Sequence, residues 1–285
     1  MAANTNTKTP NQANPFSLPP RYEIRKLGPE HFPWANAIVV HSNLFHSPVW
    51  PNLYPDKLTE RAHAAYEAGE YLWMHQINSG MSFGVFDTAY TFKCAESKAA
   101  GGKLYWDKRE PGIQDTQGLK AEGMRLLEQM DFPLVSVALA YDAANPLDME
   151  KMGPLMAAIP HFGLLYHILA TRDTRDPASW QPKAHGEVLL RNATSTRHDY
   201  EGEGLMAGLA RWLMRESDAR GYRGIQIECV NDAVDHVWSK PPSPYEGILV
   251  SEFHTGTWKD EEGNLAFAPT SQRVTKVYVD LKPKA

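Results

Sequence analysis

Gly202 and Gly204 flank one charged residue in Glu201-Gly202-Glu203-Gly204, and Leu205, Met206, Leu209, Trp212 and Leu213 then recur at helical spacing. A strand-like run, Glu187-Val188-Leu189-Leu190-Arg191-Asn192-Ala193, stands upstream. A glycine turn that leaves a strand and opens a helix has a definite chemical use. The first helical amides lack intrahelical acceptors, the helix dipole puts partial positive charge beside them, and glycine removes the Cβ that would hold a bulky anion away. The segment therefore reads as a pyrophosphate cradle. A P-loop is excluded, because Gly-x4-Gly-Lys-Ser/Thr does not occur. Gly202-x-Gly204-x-x-x-Gly208 partly mimics a dinucleotide fingerprint, with Glu228 where a ribose-binding acid would stand, so an NAD(P)-dependent oxidoreductase is a lesser alternative. Against it, residues 194–201 separate strand from glycines, and no further βαβ unit follows.

Positioning this segment requires a scaffold that the rest of the chain supplies. Alternation predicts a first strand at 22–27, and apolar spacing predicts a helix over 29–45. A loop dense in aromatics and prolines, 44–55, leads to a second helix over 56–74, with Asp56 as its cap. A strand is expected at 82–92, a helix at 117–130 and a buried strand at 132–141. A helical stretch over 148–171 should be interrupted at Pro154 and Pro160. After the cradle helix, closed by Gly221, strands are expected at 222–230, 247–254 and 273–281. The domain expectation is one domain over 21–285 behind a flexible tail, 1–20, too polar to offset its ordering entropy.

The stretch from Tyr200 to Leu209 resembles the coenzyme A pyrophosphate loop of the GNAT (Gcn5-related N-acetyltransferase) superfamily, Q/R-x-x-G-x-G/A followed by a helix. Gly221 to Asn231 resembles that family's next strand, which ends at an asparagine before a short helix. The resemblance implies an α/β fold with a mixed, mostly antiparallel sheet flanked by helices. An enlarged insertion at about 100–182 would precede a cofactor-binding core at about 186–240. It implies an N-acyltransferase moving an acetyl or short acyl group from acetyl-CoA, or another acyl-CoA, to an amine. Glu201, Gly202, Glu203, Gly204, Leu205 and Met206 are then expected around the pyrophosphate. Leu190, Arg191 and Asn192 would lie along the pantetheine arm, with a main-chain N–H polarising the thioester carbonyl. Asn231 would close the following strand. Glu187 and Glu228 become the candidate general bases, and His236, near the family's proton-donating tyrosine, the candidate acid. Phe45, Trp50 and Tyr54 would overhang the acceptor site, which suits a small apolar or aromatic amine. The departures are Glu201 for Gln or Arg, Met206 for Gly or Ala, Asp232 for proline and Trp238 for the tyrosine. They sustain a second reading, a GNAT-like scaffold that binds without turnover.

Composition narrows the remainder. Net charge is -5 without long blocks of one sign, which argues against a nucleic-acid partner. Two cysteines, Cys94 and Cys229, make no disulfide framework and no cysteine-rich zinc site. The 11 histidines include no H-x3-H or H-E-x-x-H pair, so no metal is assigned. No apolar run approaches the roughly 18–20 residues needed to cross a bilayer, and no leader precedes the fold, so a cytoplasmic protein is expected. The expanded middle region is expected to serve as a substrate lid or as the contact of a homodimer.

Overall fold

The run Leu134-Val135-Ser136-Val137-Ala138-Leu139-Ala140-Tyr141 has no polar face, and the computed structural model, which describes residues 18–283, shows the reason. It is strand β3 (Leu134–Asp142), buried on both sides in the middle of a seven-stranded sheet. The other strands are β1 (Tyr22–Lys26), β2 (Phe83–Asp87), β4 (Val188–Thr196), β5 (Gly224–Cys229), β6 (Glu246–His254) and β7 (Arg273–Asp280). Their spatial order is β1-β2-β3-β4-β5-β7-β6. Every adjacent pair is antiparallel except β4 with β5. A doubly wound dinucleotide fold needs consecutive parallel strands, so this sheet does not support the oxidoreductase alternative.

Helices cover both faces. On one lie α7 (Leu205–Ala219) and α8 (Asp232–Ser239). Leu205, Leu209 and Leu213, four residues apart, pack in a core with Val85, Ala138, Leu189, Ile227 and Val277. Burying one leucine contributes about 1.5–3 kcal/mol, so this stripe alone pins the cradle helix to the sheet. On the other face lie α1 (Phe32–His46), α2 (Leu58–Ala68), α3 (Glu70–Asn78), α4 (Leu119–Glu128), α5 (Gly153–Ala158) and α6 (Pro160–Thr171). Pro154 and Pro160 sit in the first turns of α5 and α6, where a missing N–H costs nothing. Among the described residues no helix is long and apolar enough to cross a membrane.

Several boundaries differ from the sequence expectation. Residues 1–17 of the expected tail lie outside the described residues, and Leu18 is already buried in the core. The helix expected over 56–74 is two helices that part at Gly69, where a Cβ would meet the Trp73 indole at 2.5 Å. Lys57, in the left-handed region at φ 51°, precedes α2 in place of an Asp56 cap. Strand β2 stops at Asp87 because its carboxylate accepts from the Ala89 amide (2.9 Å) and starts a turn, sending Tyr90 to donate to Asp131 (3.0 Å). The insertion is also divided. Because β3 is integral to the sheet, the region expected as an insertion is split by it, and residues 88–133 and 143–187 are separate segments.

One buried carboxylate locks the helical layer behind the site. Glu122 of α4 accepts from Thr59 Oγ1 of α2 (2.7 Å), the Ile113 amide (3.0 Å) and Arg125 Nη2 (2.7 Å). Next to it, His41 of α1, which burial pulls down to about 4 and so keeps neutral, donates to the Gly123 carbonyl at 2.7 Å. Burial alone would raise the Glu122 carboxyl, but Arg125, the amide and Thr59 outweigh it and hold the group at about 2. Its stabilising contribution is therefore complete above the ordinary glutamate range and is lost as pH falls towards 2. Glu122→Gln should destabilise the protein by about 3 kcal/mol at pH 7, because Arg125 loses its buried partner and keeps only the exposed Glu110 (3.1 Å), and the gap to wild type should narrow on acidification. Denaturant titrations at pH 7 and pH 3 check both effects; a gap independent of pH contradicts the assignment.

Candidate active site

Strands β4 and β5 begin as a parallel ladder, with Val188 to Arg191 against Gly224 to Ile227, and the pairing stops there. On its other edge β4 stays paired with β3 as far as Thr196. The break coincides with an extra residue. Arg191 lies opposite Ala140 and Ala193 opposite Leu139, so Asn192 has no cross-strand partner. Such a bulge bends the strand and disturbs the alternation of its side chains. Leu189 faces the α7 core, whereas Ala193, four residues on, faces the opposite one. The bent strand leaves β5, and a cleft of about 570 Å³ opens in the wedge between them.

At the mouth of this cleft is the glycine turn. Gly202 and Gly204 take φ of 81° and 76°, which a residue with a side chain adopts at a cost of about 1 kcal/mol or more. A Cβ at Gly202 would project into open space. The first amide to join the α7 ladder is that of Gly208, on the Gly204 carbonyl at 2.9 Å, so the amides of Leu205, Met206 and Ala207 precede it. All three residues line the cleft. The two acidic residues of the turn have partners. Glu201 Oε2 is 3.1 Å from His198 Nδ1, and the Tyr22 hydroxyl donates to Glu203. Tyr200 donates to Asp87 at 2.9 Å, and Asp87 is paired with Arg21, which ties the turn to β1 and β2. The His198 ring stacks on His46 of α1 at 3.7 Å. His46, drawn down to about 3 by burial and then by the two neighbouring histidines, is a neutral wall of the cleft.

Deeper in, Glu228 of β5 faces the cleft from the side opposite Ile227 and Cys229. Burial raises its carboxyl to about 7, because the nearby cations Lys276 and Arg175 are both already bound to Asp173, at 3.2 and 2.7 Å. Tyr166 of α6 lines the same cleft as Glu228 and Asn192, and burial, reinforced by the Glu228 charge, raises its hydroxyl well above the ordinary range. Trp50, Leu155, Ile159 and Phe162 make an apolar wall at this end.

The cleft thus gathers Asn192, Glu201, Gly202, Gly204, Leu205, Met206, Glu228 and Asn231. Asn231 also caps α8, accepting from the Ala233 amide at 2.8 Å. Other expected residues stand elsewhere. Glu187 precedes β4 at its far end, paired with Arg223 (3.5 Å) and accepting from the Lys183 amide (3.0 Å), so it closes a loop. His236 is exposed on α8 and does not line the cleft. Leu190 remains in the closed part of the sheet, between Tyr141 and Gln226. Arg191 is 1% exposed beneath β4, its guanidinium 5.1 Å from the Trp238 ring and lowered to about 9 by burial. Glu203 turns to Tyr22 and is absent from the lining. Burial pushes the Cys229 thiol up, which makes it an inert small hydrophobe. Sequence reasoning missed Tyr166, Phe162, His46 and Tyr200. The Phe162–Tyr166 spacing marks one face of α6, but only tertiary packing aims that face at Glu228. Among the described residues no group of three or more His, Cys, Asp or Glu is placed to hold a metal ion.

No family profile and no curated protein sequence matches the chain. Solved structures do. The chain is similar to the C-terminal condensation domain of Ebony in complex with beta-alanyl-dopamine, with a TM-score of 0.60 and 15% identity, covering 90% of this chain and 97% of that one. It is also similar to arylalkylamine N-acetyltransferase 2 from Aedes aegypti, with a TM-score of 0.53 and 10% identity, covering 91% and 99%.

The His198–Glu201 contact makes the cradle's charge testable. Removing the carboxylate charge by Glu201→Gln should tighten inorganic pyrophosphate binding about threefold, and His198→Ala, which frees that carboxylate, should weaken it about as much. Calorimetric titration reads both; identical affinities in the two variants would place the anion somewhere other than this turn.

Proposed function

We propose, from the GNAT superfamily fold that these solved structures share with the chain, that this protein is an N-acyltransferase. It moves an acetyl or other short acyl group from its CoA thioester to a small amine with an apolar or aromatic body. The observation that carries this reading is one continuous cleft. Its lining brings together an amide cradle, a bulged strand edge, an apolar wall and a carboxyl held near neutrality.

The residues fit an acyl-CoA. The amides of Leu205, Met206 and Ala207 suit a diphosphate, and the open space at Gly202 is what a Cβ would occupy. The edge of β4 from Asn192 to Thr196, unpaired towards β5, offers main-chain groups to the amide-bearing pantetheine arm in the manner of an added strand. When bound, acetyl-CoA supplies an activated acyl carbon. The main-chain N–H of the bulged Asn192, just past the last residue paired with β5, is the donor suited to the thioester oxygen. Glu228 takes the proton of the amine, a task for which a base near pH 7 is well matched. Trp50, Ile159 and Phe162 would receive the body of the acceptor. The names of the two neighbours, one bound to beta-alanyl-dopamine and one an arylalkylamine N-acetyltransferase, agree with an arylalkylamine.

Acetyl-CoA at a hundredfold excess over Kd should stabilise the protein by about 2.7 kcal/mol, and NADPH should not; a thermal melt with each ligand distinguishes them. No shift with any acyl-CoA would remove the reading. Glu228→Gln should retain that shift while lowering kcat by roughly 10²–10³-fold. In wild type kcat/KM should rise with pH through about 7 as Glu228 ionises and then level, and the variant should lack this limb.

A further inference from the structure

The proposed reaction needs an acid as well as a base, because a departing thiolate must be protonated. Trp238 occupies the place of the expected tyrosine, is fully buried, and carries no transferable proton of useful acidity. His236 does not line the cleft. The titratable groups that do, besides Glu228, are His46, Tyr166, Tyr200 and Glu201. His46 is neutral and stacked on His198. The Tyr200 hydroxyl is engaged as a hydrogen-bond donor to Asp87 at 2.9 Å, and Glu201 is engaged with His198 at 3.1 Å. Tyr166 is different in position. It stands on α6 and lines the cleft together with the bulged Asn192 and with Glu228, and it packs on Phe162 of the apolar wall at 4.7 Å between ring centres. These are the residues between which acyl carbon, sulfur and amine must meet.

We propose, on the acyltransfer reading above, that Tyr166 is the catalytic acid and that it forms a proton relay with Glu228. As the C–N bond forms and the C–S bond breaks, Glu228 accepts a proton from the amine nitrogen and the Tyr166 hydroxyl gives one to sulfur. Glu228 then returns its proton to the Tyr166 oxygen. One proton leaves nitrogen and one reaches sulfur, so both side chains are restored without an outside donor. Burial and the Glu228 charge, which raise the Tyr166 hydroxyl, keep it protonated between turnovers and make its phenolate a stronger base than Glu228. Helix α6 therefore supplies chemistry as well as a wall.

The test compares two thioester donors in Tyr166→Phe, with 2-phenylethylamine as acceptor and an unchanged melting midpoint as the folding control. With acetyl-CoA, kcat should fall about 100-fold while KM for acetyl-CoA stays within about twofold. With S-(4-nitrophenyl) thioacetate, whose thiolate leaves without a proton, the loss should be less than about threefold. The rising limb near pH 7 should persist, since Glu228 is untouched, and Tyr166→His should recover at least about tenfold over the phenylalanine variant. Equal losses with both donors, or no loss with acetyl-CoA, overturn the relay alone. If wild type releases no thiol from either donor across an amine panel, the acyltransfer reading itself falls, which is a separate result.

Discussion

The site depends on one interruption of a hydrogen-bond ladder. Buried main-chain amides are almost always paired, and a strand inside a sheet satisfies them through both neighbours. At Asn192 that arrangement fails on one side only. Pairing with β3 continues to Thr196 while pairing with β5 ends at Arg191, so β4 is an internal edge facing a cleft. An extended ligand with its own amides is the natural completion of such an edge. The same bend sets the faces of the flanking side chains, and it sends β4 towards the turn that opens α7. Strand edge and amide cradle are thus consequences of a single extra residue.

The surrounding layers hold that geometry from two directions. From one face, the leucine stripe of α7 fixes the cradle amides relative to the sheet. From the other, α1 reaches β4 through Asn43, whose Nδ2 donates to Ser195 Oγ at 3.4 Å, and it is itself braced by His41 on α4. The acidic turn is accommodated locally, by His198 and Tyr22, without a lysine or arginine of its own. Glu228 owes its raised carboxyl to the same enclosure, because the cations beside it are engaged by Asp173.

What the sequence made legible were features with local causes. The glycine turn, the α7 stripe and the succession of strands along the chain follow from backbone freedom and hydrophobic period, and the place of Glu228 at the end of β5 followed from the resemblance. The full length of β4 did not, since Thr194-Ser195-Thr196 lack the apolar alternation of a half-buried strand; they face a cleft instead. The Gly69 break depends on where Trp73 packs. Glu187 and His236 had the right residue types near the right segments, yet one lies at the wrong end of β4 and the other on the outer face of α8. Tyr166 had the reverse history: nothing around it in the chain signals chemistry, and only the packing of α6 brings it to the cleft that Glu228 also lines.

The central claim is acyl transfer to nitrogen, and the most direct measurement counts both products at once. Wild-type protein is incubated with carbon-13-labelled acetyl-CoA and an arylalkylamine, with free thiol followed by absorbance and amide by mass. The account predicts one labelled amide per thiol released, at a rate proportional to enzyme concentration. Thiol release without amide, or bound acetyl-CoA with neither product, would contradict it.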